Sequence, residues 1–310
     1  MKLIDLHCDT LYKSVTENKY LDDEKMENSL SSNDNKVQCY AIWCPDELTG
    51  IQAENLFLSA YKKLKSECNR LNLNYINNFK NIKNDFQSHK NNIIFTLENA
   101  IAFNKKLENV AKFAQLGLKM VTLTWNDSNF IGDGAMVATP KGLTELGKKF
   151  ISELEKNQII IDISHASDNL FYDVERFAKR PFIASHSNSR SVCNHKRNLT
   201  DEQFNIIKSH HGIIGLNFHK DFLSDTPNKA SAFDILRHTE YFMSLGAEDT
   251  LSIGSDFDGC TLPDNIKGSS SIDYLYELFL KHNYKENLVN KIFYENALNF
   301  FENFDNHQIL

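Results

Sequence analysis

Apolar residues in this chain fall into short, nearly continuous runs separated by longer stretches in which they recur every three or four positions. The short runs predict strands at 3–8, 36–43, 92–97, 118–124, 158–163, 181–185, 212–217 and 250–254. The longer stretches predict helices over 51–70, 103–115, 143–156, 167–178, 201–209, 231–245, 271–281 and 284–303. Thr200-Asp201-Glu202-Gln203 and Ser167-Asp168 carry N-cap and first-turn acid signals, and Gly142-Leu143-Thr144-Glu145 breaks a loop before a helix. The polar segment 8–34 reads as a helix followed by a loop.

Strands that are apolar throughout, rather than alternating, belong to parallel sheets covered on both faces. Strand-then-helix units repeated eight times predict an α/β fold, a closed (β/α)8 TIM-like barrel forming a single domain over residues 1–310. An open doubly wound sheet is the alternative, but the Gly-rich phosphate loop expected after its first strand is missing. The long connections 126–142 and 218–230 both follow strands, so in a barrel they lie over the face where active sites form.

Charge and cysteine content narrow the setting. The 34 basic and 41 acidic residues are spread along the chain for a net charge of -7, which leaves no electrostatic footprint for nucleic acid. No apolar run approaches the roughly 20 residues of a membrane span, and the first residues lack the order of a secretory signal. The six cysteines are scattered, with neither a CxxC nor a dense framework, so free thiols in a reducing compartment are expected. The expectation is a cytoplasmic protein with no nucleic-acid or membrane partner, homodimer formation being left open.

Candidate chemistry gathers at the strand ends. The first predicted strand ends in His7 and Asp9, the third in Glu98, the fourth in Trp125 and Asn126, the fifth in His165, the sixth in His186 and the eighth in Asp256 and Asp258. In a barrel these residues share one rim. Imidazole mixed with carboxylate and no thiolate suits zinc or another first-row divalent ion, and two metals about 3.5–4 Å apart need a bridging carboxylate. Glu98 is the candidate bridge, His7 and Asp9 complete one ion's shell, and His165 and His186 the other's. Such a pair lowers the pKa of a shared water and polarises a carbonyl, so the reaction implied is hydrolysis.

Other residues fit around that centre. Asp256 is placed to relay a proton to a leaving amine, while Asp258-Gly259 reads as an Asp-Gly turn. Arg197 follows the sixth predicted strand, where a guanidinium fork holds a carboxylate, although alone it reads as a solvated surface arginine. Asp5 is either a partner for the His7 ring or an ordinary strand-end carboxylate. Cys8 is assigned to packing. His89, His210, His211, His238, His282 and His307 are expected in helices or on the opposite rim, and His195 and His219 are unassigned loop residues.

Taken in order, Asp5-Leu6-His7-Cys8-Asp9, Gly142-Leu143-Thr144, Ile161-Asp162-Ile163-Ser164-His165, Ser185-His186-Ser187, Arg197-Asn198-Leu199 and Gly254-Ser255-Asp256-Phe257-Asp258-Gly259 resemble the membrane (renal) dipeptidase family of zinc metallopeptidases. The resemblance implies an amidohydrolase-type barrel with two zinc ions that cleaves dipeptides, some with a C-terminal D-residue. It gives His7, Asp9, Glu98, His165 and His186 as ligands, Asp256 as acid/base and Arg197 as anchor for the substrate carboxylate. One position departs: after Thr122-Leu123-Thr124 many relatives carry a histidine that stabilises the tetrahedral intermediate, and this chain has Trp125 followed by Asn126. An indole donates one hydrogen bond and cannot become cationic, so oxyanion stabilisation is expected either to be weaker or to come from a zinc or Asn126. That departure keeps two rivals in view, an amidohydrolase for another small amide, lactam or N-acyl amino acid, and a barrel retained only for binding.

Overall fold

A computed structural model describes residues 1–30, 36–88 and 91–304. Its strands are β1 (Leu3–Cys8), β2 (Lys36–Trp43), β3 (Asn74–Tyr75), β4 (Asn91–Glu98), β5 (Leu118–Thr122), β6 (Ile160–Asp162), β7 (Ile214–Leu216) and β8 (Leu251–Ile253). All pair in parallel, in the order β6-β5-β4-β2-β1-β8-β7, with β3 added beside β4.

The predicted strand at 181–185 makes only single bridges, Asp162 to Ile183 on one side and Ala184 to Ile214 on the other. Those bridges join β6 to β7 and close the TIM-like ring. Two carboxylates explain why the closing staves are short. Asp162 Oδ1 accepts the backbone N–H of Ser164 at 3.0 Å and of Ser185 at 2.8 Å, diverting both from the ladder. Asp5 does the same after β8, accepting Ser255 N–H at 2.9 Å and Ser255 Oγ at 2.6 Å.

Helices follow the strands: α1 (Thr10–Thr16), α2 (Gly50–Leu71), α3 (Ile82–Ser88), α4 (Glu108–Gln115), α5 (Glu145–Lys156), α6 (Asp168–Phe177), α7 (Asp201–Ser209), α8 (Lys220–Leu223), α9 (Ala232–Ser244), α10 (Ile272–Lys281), α11 (Glu286–Asn290) and α12 (Asn296–Phe304). Side-chain caps start several where expected, with Ser167 accepting Leu170 N–H and Thr200 forming a capping box with Gln203. The helix expected over 103–115 begins only at Glu108, because Asn104 and Lys105 take the left-handed φ values of 53° and 59°. The expected 284–303 helix is broken by one π-helical segment, Lys291–Glu295. Neither α3 nor β3 was foreseen.

One core cluster packs α2 and α4 on β4, with Phe57 stacked 3.8 Å from Phe113 and 5.0 Å from Phe95 between ring centres. A second joins Ile4, Leu6, Ile94 and Met120 to Phe79 and Phe301, so α12 seals the sheet from another side. Together these fix the strands, and hence the rim, on a rigid base. Among the described residues no helix is long and apolar enough to cross a membrane.

Candidate metal centre

The strand ends converge as the pattern predicted. His7 Nε2 is ringed by three carboxylate oxygens, Glu98 Oε2 at 3.4 Å, Asp9 Oδ2 at 3.5 Å and Asp256 Oδ1 at 3.8 Å. Glu98 turns its other oxygen to His165 Nε2 at 2.9 Å, so one carboxylate spans two imidazoles. The ring of His186 stacks on His7 with 3.9 Å between centres, and lies 5.0 Å from His165. All six side chains are buried.

Local backbone makes the convergence work. His165 and Asp256, each just past a strand, adopt left-handed φ values of 67° and 63°, which swing their side chains across the barrel mouth. Gly259 leaves open a space beside the cluster: a Cβ there would stand 1.9 Å from Asp9 Oδ2.

The residues fit a cation. His7 Nε2, His186 Nε2 and Asp9 Oδ1 are buried with no hydrogen-bond partner, an arrangement that is costly unless something binds them. Donor atoms of His7, Glu98 and His186, and again of His7, Asp9 and Asp256, lie within 4.8 Å of one another. Burial pushes Asp9 up to about 6 and Asp256 up to about 7, each reinforced by a neighbouring carboxylate. Burial drives His165 down to about 4, helped by the Arg197 charge.

Around the centre lies a cavity of about 240 Å³. Trp125 and Asn126 line it as expected, but Asn126 Oδ1 is taken by His165 Nδ1 at 3.1 Å, so its first role is to hold that ring. Residues not foreseen also line it: Tyr12, Trp43, His219 and Phe222. Trp43 packs 4.9 Å from Tyr12 and 4.8 Å from Trp125, making an aromatic wall. Trp43 ends β2 and pairs with Glu98, so looking for apolar as well as polar residues at strand ends finds it.

Arg197 is no surface arginine. Its side chain is buried, donates from Nη2 to the His186 carbonyl at 3.3 Å, lies over the Phe222 ring, and leaves Nε unpartnered. Burial lowers it to about 10 against the pull of Asp256 and Glu98. Asp256 is steadied by Asn217, whose Nδ2 donates to Oδ2 at 3.0 Å. Asp5 gives its carboxylate to Ser255 and the His7 backbone N–H, which makes it a strand-end tie instead of a ring partner. Cys8 is buried in the core, as expected. His238 lies within α9, His210 and His282 cap α7 and α10, and His89 and His307 lie outside the described residues.

A parallel barrel whose C-terminal rim gathers three histidines and three carboxylates defines a metal-dependent hydrolase. Comparison with known proteins makes this specific. Residues 1–308 match the family model described as "Membrane dipeptidase (Peptidase family M19)". The chain is 31% identical over 220 residues to an uncharacterised protein from the pqqA 5′ region of Klebsiella pneumoniae, covering 67% of this chain and 80% of that one. A structure described as the dipeptidase AC, a metallo peptidase, superposes with TM-score 0.88 at 25% identity, covering 97% of this chain and 98% of that one. A metallo peptidase from Rhodobacter sphaeroides, liganded with a phosphinate mimic of L-Ala-D-Ala, shares the fold with TM-score 0.88 at 24% identity, over 97% of this chain and 99% of that one. The chain belongs to the membrane dipeptidase family and is a metal-dependent peptidase acting on dipeptides.

Proposed function

We propose that the enzyme uses two zinc ions, held by His7 and Asp9 on one side and His165 and His186 on the other, with Glu98 between them. The observation that carries this reading is the Glu98 carboxylate, which offers Oε2 to His7 and Oε1 to His165 beside the unpartnered Nε2 atoms of His7 and His186. Bound there, zinc supplies a water acidic enough to ionise near neutral pH and polarises the carbonyl under attack.

The chain's own groups do the rest. Asp256, buried and held by Asn217, passes a proton to the leaving amine, and its position beside His7 puts it at the reacting end of the cavity. Arg197 grips the substrate carboxylate: a buried guanidinium with a free Nε is a fork awaiting an anion. Trp43 and Trp125 wall the cavity and keep water away from the scissile bond. At about 240 Å³ the space suits a substrate of roughly two residues, below the roughly 300–1,000 Å³ of drug-sized pockets. One catalytic domain spans 1–310 in this reading. A reducing compartment such as the cytoplasm suits the six free cysteines, of which all but Cys260 are buried.

Elemental analysis of the purified protein, with hydrolysis of L,L- and L,D-dipeptides including L-Ala-D-Ala, tests the reading. Two zinc ions per chain and dipeptide turnover abolished in Glu98→Ala are expected. Protein that takes up no zinc and stays inactive after zinc addition overturns it. The rival amidohydrolase reading, motivated by Trp125, gains if Arg197→Ala leaves KM for dipeptides unchanged.

A further inference from the structure

His186 is gripped at its far nitrogen by a chain of hydrogen bonds that ends on a buried carboxylate. Asp162, at the end of β6, is completely buried. Its Oδ1 accepts two backbone N–H groups, from Ser164 at 3.0 Å and Ser185 at 2.8 Å, which can only donate. Its Oδ2 accepts the Thr122 hydroxyl at 2.6 Å and the Ser185 hydroxyl at 2.5 Å. Ser185 has a single hydroxyl hydrogen, and the carboxylate takes it. Toward His186 Nδ1, 2.7 Å away, Ser185 Oγ can therefore only accept.

The consequence is a fixed tautomer. Nδ1 carries the ring hydrogen and Nε2 carries the lone pair, the same buried Nε2 that has no partner within the protein. Ser164 completes the cage, its Oγ accepting the His186 backbone N–H at 3.0 Å and standing 3.4 Å from Ser185 Oγ. His165 is held in the same sense by a different device, the neutral Asn126 Oδ1 at 3.1 Å from Nδ1. One histidine thus leans on an amide, and the other on a carboxylate one hydroxyl away.

We propose that Asp162 and Ser185 form a relay that locks His186 in the tautomer with a free Nε2, making both positioning residues for one of the two metal positions. This rests on the reading of His186 as a metal ligand. Ser185 is the informative residue, since replacing it by Ala removes the hydroxyl and keeps the backbone N–H bond to Asp162. The buried Nδ1–H of His186 is then left without an acceptor, and the preference for a free Nε2 disappears.

The test titrates metal-free wild type, Ser185→Ala and His186→Ala with zinc against a chromogenic chelator. Circular dichroism melts of the metal-free proteins check the fold. Wild type is expected to bind two zinc ions, and Ser185→Ala to bind one of them 10–100-fold more weakly, the usual effect of removing a ligand's outer partner. The other ion should be held as in wild type. Equal zinc affinities in Ser185→Ala and wild type, with one ion lost in His186→Ala, overturn the relay and leave the metal reading intact. Wild-type-like zinc binding by His186→Ala overturns the ligand reading itself, and the relay with it. If Ser185→Ala does not fold, ¹⁵N spectra of histidine-labelled, metal-free wild type decide: a protonated Nδ1 at His186 supports the relay, and a protonated Nε2 refutes it.

Discussion

Replacing Asp258 by Asn should destabilise the protein far more than a change in an Asp-Gly turn would. The Asp258 carboxylate accepts four hydrogen bonds from two segments distant in sequence. Oδ1 takes Lys13 Nζ at 2.9 Å and Glu27 N–H at 3.0 Å, and Oδ2 takes Thr10 Oγ1 at 2.6 Å and Asn28 N–H at 3.3 Å. An amide accepts at one end only. With its oxygen toward Lys13 and Glu27, its NH₂ faces Thr10, whose hydroxyl can turn to accept, and Asn28, whose N–H cannot. The orphaned backbone N–H costs about 1–3 kcal/mol. Converting the Lys13 contact from charged to neutral costs about 1 kcal/mol more, a figure kept low because the lysine is a quarter exposed. The expected loss is about 3 kcal/mol, read from urea unfolding followed by circular dichroism. In Lys13→Met the further cost of Asp258→Asn should shrink by about 1 kcal/mol, the coupling between the two. A loss under about 0.5 kcal/mol, as for an ordinary surface change, would show that the four bonds do not act together.

Other outcomes follow from the same structure. His238, buried in α9, accepts Ser189 N–H at Nδ1 and bonds the Leu223 carbonyl through Nε2; burial lowers it from 6.5 to about 4. It is neutral in the folded state, so its contribution is fully present above pH 6.5 and is lost as pH falls toward 4. Wild type should lose about 3 kcal/mol more than His238→Gln over that window, and equal urea midpoints would reject the assignment. Phe57→Ala, opening a cavity between Phe113 and Phe95, should cost about 3–5 kcal/mol in the same assay. Arg197→Lys keeps the charge but loses the fork, so KM for dipeptides should rise about 10-fold or more with kcat little changed. An unchanged KM removes Arg197 from the carboxylate site.

Periodicity and strand-end chemistry carry a long way in this protein. Seven of the predicted strands appear within a few residues of their expected bounds, and the rim they define collects His7, Asp9, Glu98, His165, His186 and Asp256 into one cluster. The reason is that apolar runs report burial on both faces of a parallel strand, and residues just past such runs must emerge at one end of the barrel. Arg197 was visible as a carboxylate anchor only through its motif, since by itself it read as a solvated loop arginine. Its burial depends on packing over Phe222 and on the His186 carbonyl, and no local pattern encodes either.

What the sequence determined by itself was therefore the order of elements, the barrel and the identity of the groups at its mouth, because these depend on spacing along the chain. The tertiary structure alone decided how those groups are held. Asp162 and Asp5 cut the closing strands short by taking backbone N–H groups from segments up to 250 residues away. The same Asp162, through Ser185, sets the proton on His186. Tyr12, Trp43 and the pair His219 and Phe222 meet around the cavity from three separate stretches of chain. Hydrogen bonds and ring contacts act over a few ångströms, and only the closed barrel brings such residues that near.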